Sequence, residues 1–511
     1  MRYSGTYDLL IVGGGINGAG IARDAAGRGL SVLLCEQHDL AAHTSSASTK
    51  LIHGGLRYLE HFQLSLVRKA LIEREILLGS APHLMRPLRF VLPHDAHLRP
   101  AWMIGAGLFL YDHLARRRRL AGSARIDLRR HVAGAALKPQ YAQGFVYSDG
   151  WTNDARLVVL NAVDARERGA VILTRTPCEK LEVARGGWVA TLATRSGPEK
   201  VTARAVVNAT GPWVSRFASA ASPISACHSI RLVKGSHIVV PRLYAHRFAY
   251  LFQNDDQRIV FAIPYEHDFT LIGTTDVEYT GDPGAVRIDP EEVSYLCAAV
   301  SRYFAKPVRP EDVVWSYSGV RPLLDDEAAD PASITRDYAL ELDRQPAPIL
   351  TVFGGKITTY RKLAESAVDT LARELGSRAP AWTAHALLPG GDLPGGVYAK
   401  FLRSLEHAHP WLPATLRYRY AHAYGTRVAH ILGDARSVAD LGEELLPQLY
   451  EREANYLCEV ELAQTAEDIL WRRTRLGLHV GAAGHGRLEA WLAERDSRAP
   501  DPEPRSLIGA G

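Results

Sequence analysis

Cysteine is scarce in this chain. Five are spread over 511 residues (Cys35, Cys178, Cys227, Cys297 and Cys458) with no C-x-x-C pair, which supplies neither a zinc ligand set nor a dithiol redox motif. Electron-transfer chemistry would have to come from a bound cofactor. Charge of one sign is also lacking: the formal net charge of +4 is small for this length and argues against a general nucleic-acid binder. Long apolar runs are missing as well. The longest, about ten residues from Trp102 to Tyr111 in HLRPAWMIGAGLFLYDHLARRRRL, falls well short of the roughly twenty that a membrane-spanning helix needs. The first apolar strand begins too near residue 1 for a signal peptide, so an intracellular protein is expected. Charged (23%) and hydrophobic (47%) residues occur at ordinary globular levels, which exclude a fibrous or disordered chain. A chain of this length divides into two or three domains.

What is present is a dinucleotide fingerprint. The segment from Asp8 to Glu36 reads as strand, glycine turn, helix rich in small residues, second strand and terminal acid, with Gly13, Gly15 and Gly18 in the G-x-G-x-x-G spacing. Those glycines permit a tight turn, let bare backbone approach a pyrophosphate and seat the helix close on the sheet. The helix N-terminus adds unpaired N–H groups and a partial positive charge. Glu36 is placed to accept hydrogen bonds from a ribose hydroxyl, which selects against a 2′-phosphate. The fingerprint alone does not choose between NAD and FAD.

Further along, a loop of small hydroxyl residues containing Thr44, Ser45, Ser46, Thr49 and Lys50 leads into a helix from about Phe62 to Leu78. The strand AVVNATG ends at Gly211, and TVFGGKITTYRKLAESAVDTLAREL repeats the strand, glycine, helix order, with Gly354 and Gly355 at the turn and a helix from about Thr358 to Leu375. Alternating runs between Ile230 and about Leu350 predict an antiparallel sheet. These signals divide the chain into a dinucleotide domain in three pieces (1–80, 146–229, 351–387), a substrate domain (230–350) with an associated segment 81–145, a helical domain (388–494) and a disordered tail (495–511).

The motifs LIVGGGINGAGIARDAAGRGLSVLLCE, TSSASTKLIHGGLRYLEH, VVNATGPWV, RLVKGSHIVVP, LIGTTDVEYTGDP, YSGVRPLLDDE, SITRDYAL and FGGKITTYRKLAE together resemble the FAD-dependent glycerol-3-phosphate dehydrogenases of the aerobic, membrane-associated kind, over nearly the whole chain. The resemblance implies an α/β fold: a Rossmann-type FAD-binding domain of the D-amino-acid-oxidase type, an antiparallel-sheet substrate domain over the flavin, and a C-terminal all-α domain. It implies oxidation of sn-glycerol 3-phosphate to dihydroxyacetone phosphate, with electrons leaving to a membrane quinone. A homodimer that is cytoplasmic and peripheral on the inner face of the cell membrane is implied too.

That chemistry needs a hydride acceptor, a base and a cationic anchor for phosphate. Arg57, Arg321 and Arg336 lie in segments that the resemblance places around the substrate, where a planar guanidinium fork suits a phosphate dianion; Tyr58 adds a hydroxyl. His237 is the first choice for general base. Arg321 alternatively orients the hydroxyl or stabilises the alkoxide, and Lys356 polarises the flavin or contacts substrate. Expected cofactor contacts are Gly13, Gly15, Gly18, Glu36, Ser45, Ser46, Lys50, Gly211, Gly354, Gly355 and Thr358, with Thr44 and Thr49 weaker. FAD is expected to be noncovalent, although His53 is of the residue type that carries covalent flavin in some related amine-oxidising flavoproteins. No metal site is expected.

Two readings stay open for Trp102–Tyr111: a buried helix with a solvated arginine end, or a segment at the headgroup level with Arg99 and Arg116 to Arg119 on anionic lipid. Rival functions are a soluble glycerophosphate oxidase releasing hydrogen peroxide, an amine or amino-acid oxidase, and a non-catalytic flavin-binding interaction protein.

Overall fold

The computed structural model describes residues 5–95, 99–221, 230–256, 258–324 and 337–498. Five parallel strands form the centre of the first sheet, in the order Ile349–Gly354, Gly197–Asn208, Thr6–Val12, Val32–Cys35 and Val171–Leu173. Runs such as LLIV and VLLC are buried on both faces, as a strand covered on both sides requires. Tyr338–Asp343 adds an antiparallel edge, and Cys178–Ala184 and Gly187–Thr194 pair as a meander onto Gly197–Asn208. The helix Ile16–Gly27 packs against helices Asp154–Glu167 and Tyr360–Leu375. Its small residues are what permit this: a Cβ on Gly20 would come within 2.8 Å of the Tyr360 ring.

The second sheet has ten strands. Its centre is the long strand Ile230–Pro241, flanked by Phe269–Gly273 and Trp315–Leu324. The sheet is antiparallel except where Ala249–Gln253 runs parallel to Met85–His94. One face is covered by the helix Pro290–Ser301, entered through a capping box of Asp289 and Glu292.

Several expectations are corrected. Residues 146–152, expected in the returning dinucleotide domain, continue the strand Gln143–Thr152 of the second sheet, which pairs along its length with Met85–His94. Leu51–Ile52 pairs there too, whereas Tyr338–Asp343 joins the first sheet ahead of 351. The helix expected from Phe62 starts at Leu64, since Phe62 closes a preceding 3-10 turn (Leu56–His61) in the left-handed region. The last helix, Ala482–Arg498, continues past 494; residues 499–511 of the expected tail lie outside the described residues.

The C-terminal helices pack on a core of their own, yet that core is not set apart electrostatically. Ion pairs tie it to the dinucleotide domain: Arg473 with Asp39 (2.6 Å), Arg475 with Asp154 (2.9 Å), Arg175 with Asp468 (2.8 Å), and Arg156 with Glu461, both fully buried. Removing one member of the last pair costs about 3–5 kcal/mol by stranding the other charge.

The apolar run forms the helix Ala101–His113, with Leu108, Tyr111 and Asp112 buried and Trp102 (72%) and Phe109 (64%) exposed. No helix among the described residues is long and apolar enough to cross a membrane.

Candidate active site

The dinucleotide crevice opens where the first parallel strands end. Gly13 has φ +114°, and a Cβ there would overlap the Ala209 carbonyl; one on Gly18 would overlap the Gly13 carbonyl. Gly15 faces the Ser45 hydroxyl, which accepts from the Ile16 N–H at 3.0 Å. Glu36 closes the turn: its carboxylate accepts from the N–H groups of Gly14 (2.6 Å) and His38 (2.8 Å). Burial pushes that carboxyl up, opposed by these backbone donors. Gly211, Gly354 and Gly355, all at positive φ, complete a solvent-open cleft of about 330 Å³. Asn17 bridges two of the turns by donating to the Gly354 carbonyl (3.1 Å), and its Oδ1 is left buried with no hydrogen-bond partner.

The wrapping loop is placed differently from expectation in part. Ser45 lines the cleft, but the Ser46 hydroxyl donates back to the His43 carbonyl (3.1 Å). Lys50 turns inward, and its fully buried ammonium is given to Asp154 and the Ser46 carbonyl. A buried ammonium requires a paired anion, and Asp154 supplies it from another element. Thr44 donates to the Val320 carbonyl (2.7 Å), which seats the loop along the strand Trp315–Leu324. Gly18 contributes close packing beneath Gly13. His43 and Trp213, in edge contact at 4.6 Å, line the cleft and were not anticipated as cofactor neighbours.

His237 sits on Ile230–Pro241, opposite Gly273 on one side and Tyr317 on the other. Only glycine fits at 273, because a Cβ would overlap the imidazole. The ring stacks on Tyr317 (4.8 Å, 15°), Nε2 shares a hydrogen with the Thr49 hydroxyl (2.9 Å), and Nδ1 is buried without a partner. Burial, reinforced by the charges of Lys50 and Arg321, holds the imidazole well below its ordinary pKa, so it is neutral at pH 7. Arg321 lies over Gly235, paired with Asp276 and bonded to the Thr274 hydroxyl (2.9 Å).

A second group adjoins the turn at Gly354 and Gly355. Lys356 Nζ stands 4.0 Å from the centroid of the Tyr58 ring. The Thr358 hydroxyl accepts from the His53 N–H (3.2 Å), joining residues 53–58 to the 354–358 turn. Arg57 shares the 3-10 turn of Tyr58 and is half-buried. Arg336 lies outside the described residues. Sequence reasoning missed the supports of this loop: Arg74 pairs with Asp149 (2.6 Å), Asp149 accepts from the Tyr111 hydroxyl (2.8 Å), and that hydroxyl accepts from the Gly54 N–H (2.8 Å). Their positions in the chain carry no local signal of contact.

The family described as FAD dependent oxidoreductase matches residues 8–361, and the C-terminal domain of alpha-glycerophosphate oxidase matches residues 381–493. The chain is 53% identical to glycerol-3-phosphate dehydrogenase of Pseudomonas aeruginosa over 97% of this chain and 96% of that one. The chain belongs to the FAD-dependent glycerol-3-phosphate dehydrogenase family. It is likewise 49% identical to the aerobic glycerol-3-phosphate dehydrogenase of Escherichia coli, over 96% of this chain and 98% of the relative. The solved glycerol-3-phosphate dehydrogenase from Bacillus halodurans, complexed with FAD, superposes with a TM-score of 0.78 at 29% identity, covering 98% of this chain and 92% of that one. FAD is thus the cofactor of this dehydrogenase-family oxidoreductase, and the bare-backbone turns and the orphaned Asn17 oxygen fit a dinucleotide in the cleft.

Proposed function

We propose that the enzyme oxidises sn-glycerol 3-phosphate to dihydroxyacetone phosphate and passes the electrons to a membrane quinone. The observation that carries the reading is the buried, neutral His237 whose Nδ1 has no hydrogen-bond partner, beside Arg321, on a strand system that continues into the FAD cleft through Pro322. Bound noncovalently, FAD supplies the hydride acceptor. His237 Nδ1 accepts the proton of the C2 hydroxyl, with Nε2–H donating to Thr49. Arg57, Arg321 and Arg336 grip the phosphate, with Tyr58 adding a hydrogen bond. Each charge-assisted hydrogen bond contributes about 1.5–3 kcal/mol, so two or three suffice to prefer the phosphomonoester over free glycerol by several decades. Lys356, held over Tyr58, contacts substrate or polarises the flavin.

The exposed apolar face of Ala101–His113 supports peripheral attachment at the inner face of the cell membrane. Trp102 and Phe109 project from it, exposed Phe62 (84%) follows the adjoining 3-10 turn, and Arg116, Arg118 and Arg119 are exposed nearby. Aromatic rings beside cations suit an anionic headgroup layer, and docking there brings the turn bearing Arg57 and Tyr58 towards the membrane, where a quinone is available. A homodimer completes the proposal. The test is acceptor choice: with glycerol 3-phosphate as donor, we expect rapid anaerobic reduction of a quinone analogue and little peroxide in air. Peroxide matching substrate consumption would make the chain a glycerophosphate oxidase instead.

A further inference from the structure

Beneath the substrate side runs a row of buried charges that the reaction does not itself use. Lys50, Asp154 and Arg475 are each at most 3% exposed. Lys50 Nζ lies 2.9 and 3.0 Å from the two oxygens of Asp154 and 3.0 Å from the Ser46 carbonyl. Asp154 also accepts from Arg475 Nη2 (2.9 Å), from the Ser48 N–H (3.1 Å) and from the Ser48 hydroxyl (2.8 Å). It is the first residue of the helix Asp154–Glu167, where the helix dipole favours an anion. Two cations on one carboxylate is an expensive arrangement to bury, and packing alone does not call for it.

The row reaches His237 by two routes. Thr49, the neighbour of Lys50, bonds Nε2. Tyr317, whose hydroxyl donates to the Ser48 carbonyl (2.8 Å) and whose ring lies 4.7 Å from Lys50 Nζ, stacks on the imidazole. Arg475 comes from the C-terminal domain. It follows a π-helical turn whose Arg472 and Arg473 both bind Asp39, and Trp471 of the same turn stacks on Trp315 (4.4 Å, 17°), two residues from Tyr317. The C-terminal domain is therefore anchored against the strand and the loop that together hold the imidazole.

We propose that Arg475, acting through Asp154 and Lys50, is a positioning residue by which the C-terminal domain holds Thr49 and Tyr317 against His237 and fixes the orientation of its imidazole. This rests on the reading of His237 as proton acceptor. The charged and titratable groups around His237 are Lys50 from the loop, Arg321 with its partner Asp276, the Tyr317 phenol with Tyr265 beyond it, and Glu292, which bonds Ser236 from the covering helix. Of these Lys50 and Arg321 repel a proton on the imidazole, and burial holds the Lys50 ammonium itself down to about 8, with Arg475 pushing the same way and Asp154 opposing.

The test uses the FAD-loaded enzyme labelled at histidine Cε1, with the His237 resonance assigned by its loss in His237→Asn. In Arg475→Gln we expect that resonance to shift and anaerobic flavin reduction to slow by about 10- to 100-fold, the scale of a misplaced reacting group, with glycerol 3-phosphate affinity changed less than about twofold. Arg475→Lys should recover part of both. In Lys50→Met we expect His237 to titrate at higher pH than in the wild type. An unmoved resonance in Arg475→Gln, or in Arg475→Met should the first variant not accumulate, overturns the proposal. A wild-type reduction rate in His237→Asn would instead sink the base assignment, while the resonance shift still decides the positioning claim.

Discussion

The two sides of the active site are built by different means. The cofactor side is made of backbone: glycines at 13, 18, 354 and 355 whose conformation or tight packing excludes a side chain, each within a few residues of the strand that carries it. The substrate side is made of buried charge and ring stacking drawn from distant segments, with Lys50 meeting Asp154, Asp154 meeting Arg475, and His237 lying between Thr49 and Tyr317. The first kind of site tolerates no added volume. The second tolerates no removed partner, because a deletion leaves a buried charge or polar atom short of its hydrogen bonds.

That contrast is broken most severely by removing the reacting group. His237→Asn should keep its FAD and its substrate affinity while flavin reduction falls by about 10²–10⁴-fold, the usual contribution of a general base; stopped-flow absorbance checks this, and an unchanged rate would remove the role. Next in size is Arg473→Met, which takes the bidentate partner from buried Asp39 and leaves it Arg472 alone. Its denaturant midpoint should fall by an amount equivalent to about 1–3 kcal/mol, the cost of a lost hydrogen-bond partner for a buried group, and an unchanged midpoint would mean that Arg473 is dispensable to the C-terminal anchor. On the cofactor side, Gly18→Ala forces the helix away from the Gly13 carbonyl at a cost of about 1–3 kcal/mol, so the purified protein should lose most of its yellow colour. Arg57→Ala should weaken glycerol 3-phosphate binding by about 10- to 100-fold without altering the flavin spectrum, as read by equilibrium titration.

The smallest effect is in pH. Burial raises the Asp468 carboxyl, but Arg472, Arg473 and Arg175, with the Gln464 N–H, outweigh it and hold the group far below the ordinary carboxylate range. Its folded-state pKa is depressed, so its stabilisation is present above about pH 4 and is lost as pH falls below that. Asp468→Asn should be less stable than wild type at pH 7, and the two should converge on acidification; parallel profiles would contradict the pairing.

Legibility in the sequence follows the same division. Gly13, Gly15, Gly18 and Glu36 are readable as a turn because one continuous segment both makes the turn and supplies its acid; Gly13, Gly15 and Glu36 line the cleft and Gly18 packs beneath Gly13. Lys50, expected at the cofactor, gives its ammonium to Asp154, because a lysine in a phosphate-wrapping loop carries no local sign that its partner lies in a helix starting at residue 154. The domain boundary expected at 145/146 cuts the strand Gln143–Thr152 for a related reason: its register with Met85–His94 is a long-range fact. The apolar run 102–111 is apolar around most of its circumference, so periodicity could not say which face is exposed; the packing of Leu108 and Tyr111 decides it. Arg475, after a π-helical turn in a separate core, was invisible as a neighbour of the substrate side.

Anaerobic titration of the purified yellow enzyme with glycerol 3-phosphate tests the central claim most directly. The account predicts stoichiometric bleaching of the flavin absorbance with appearance of dihydroxyacetone phosphate, and no bleaching by glycerol at the same concentration. Flavin that stays oxidised with the phosphate ester, or bleaches equally with the uncharged polyol, would contradict it.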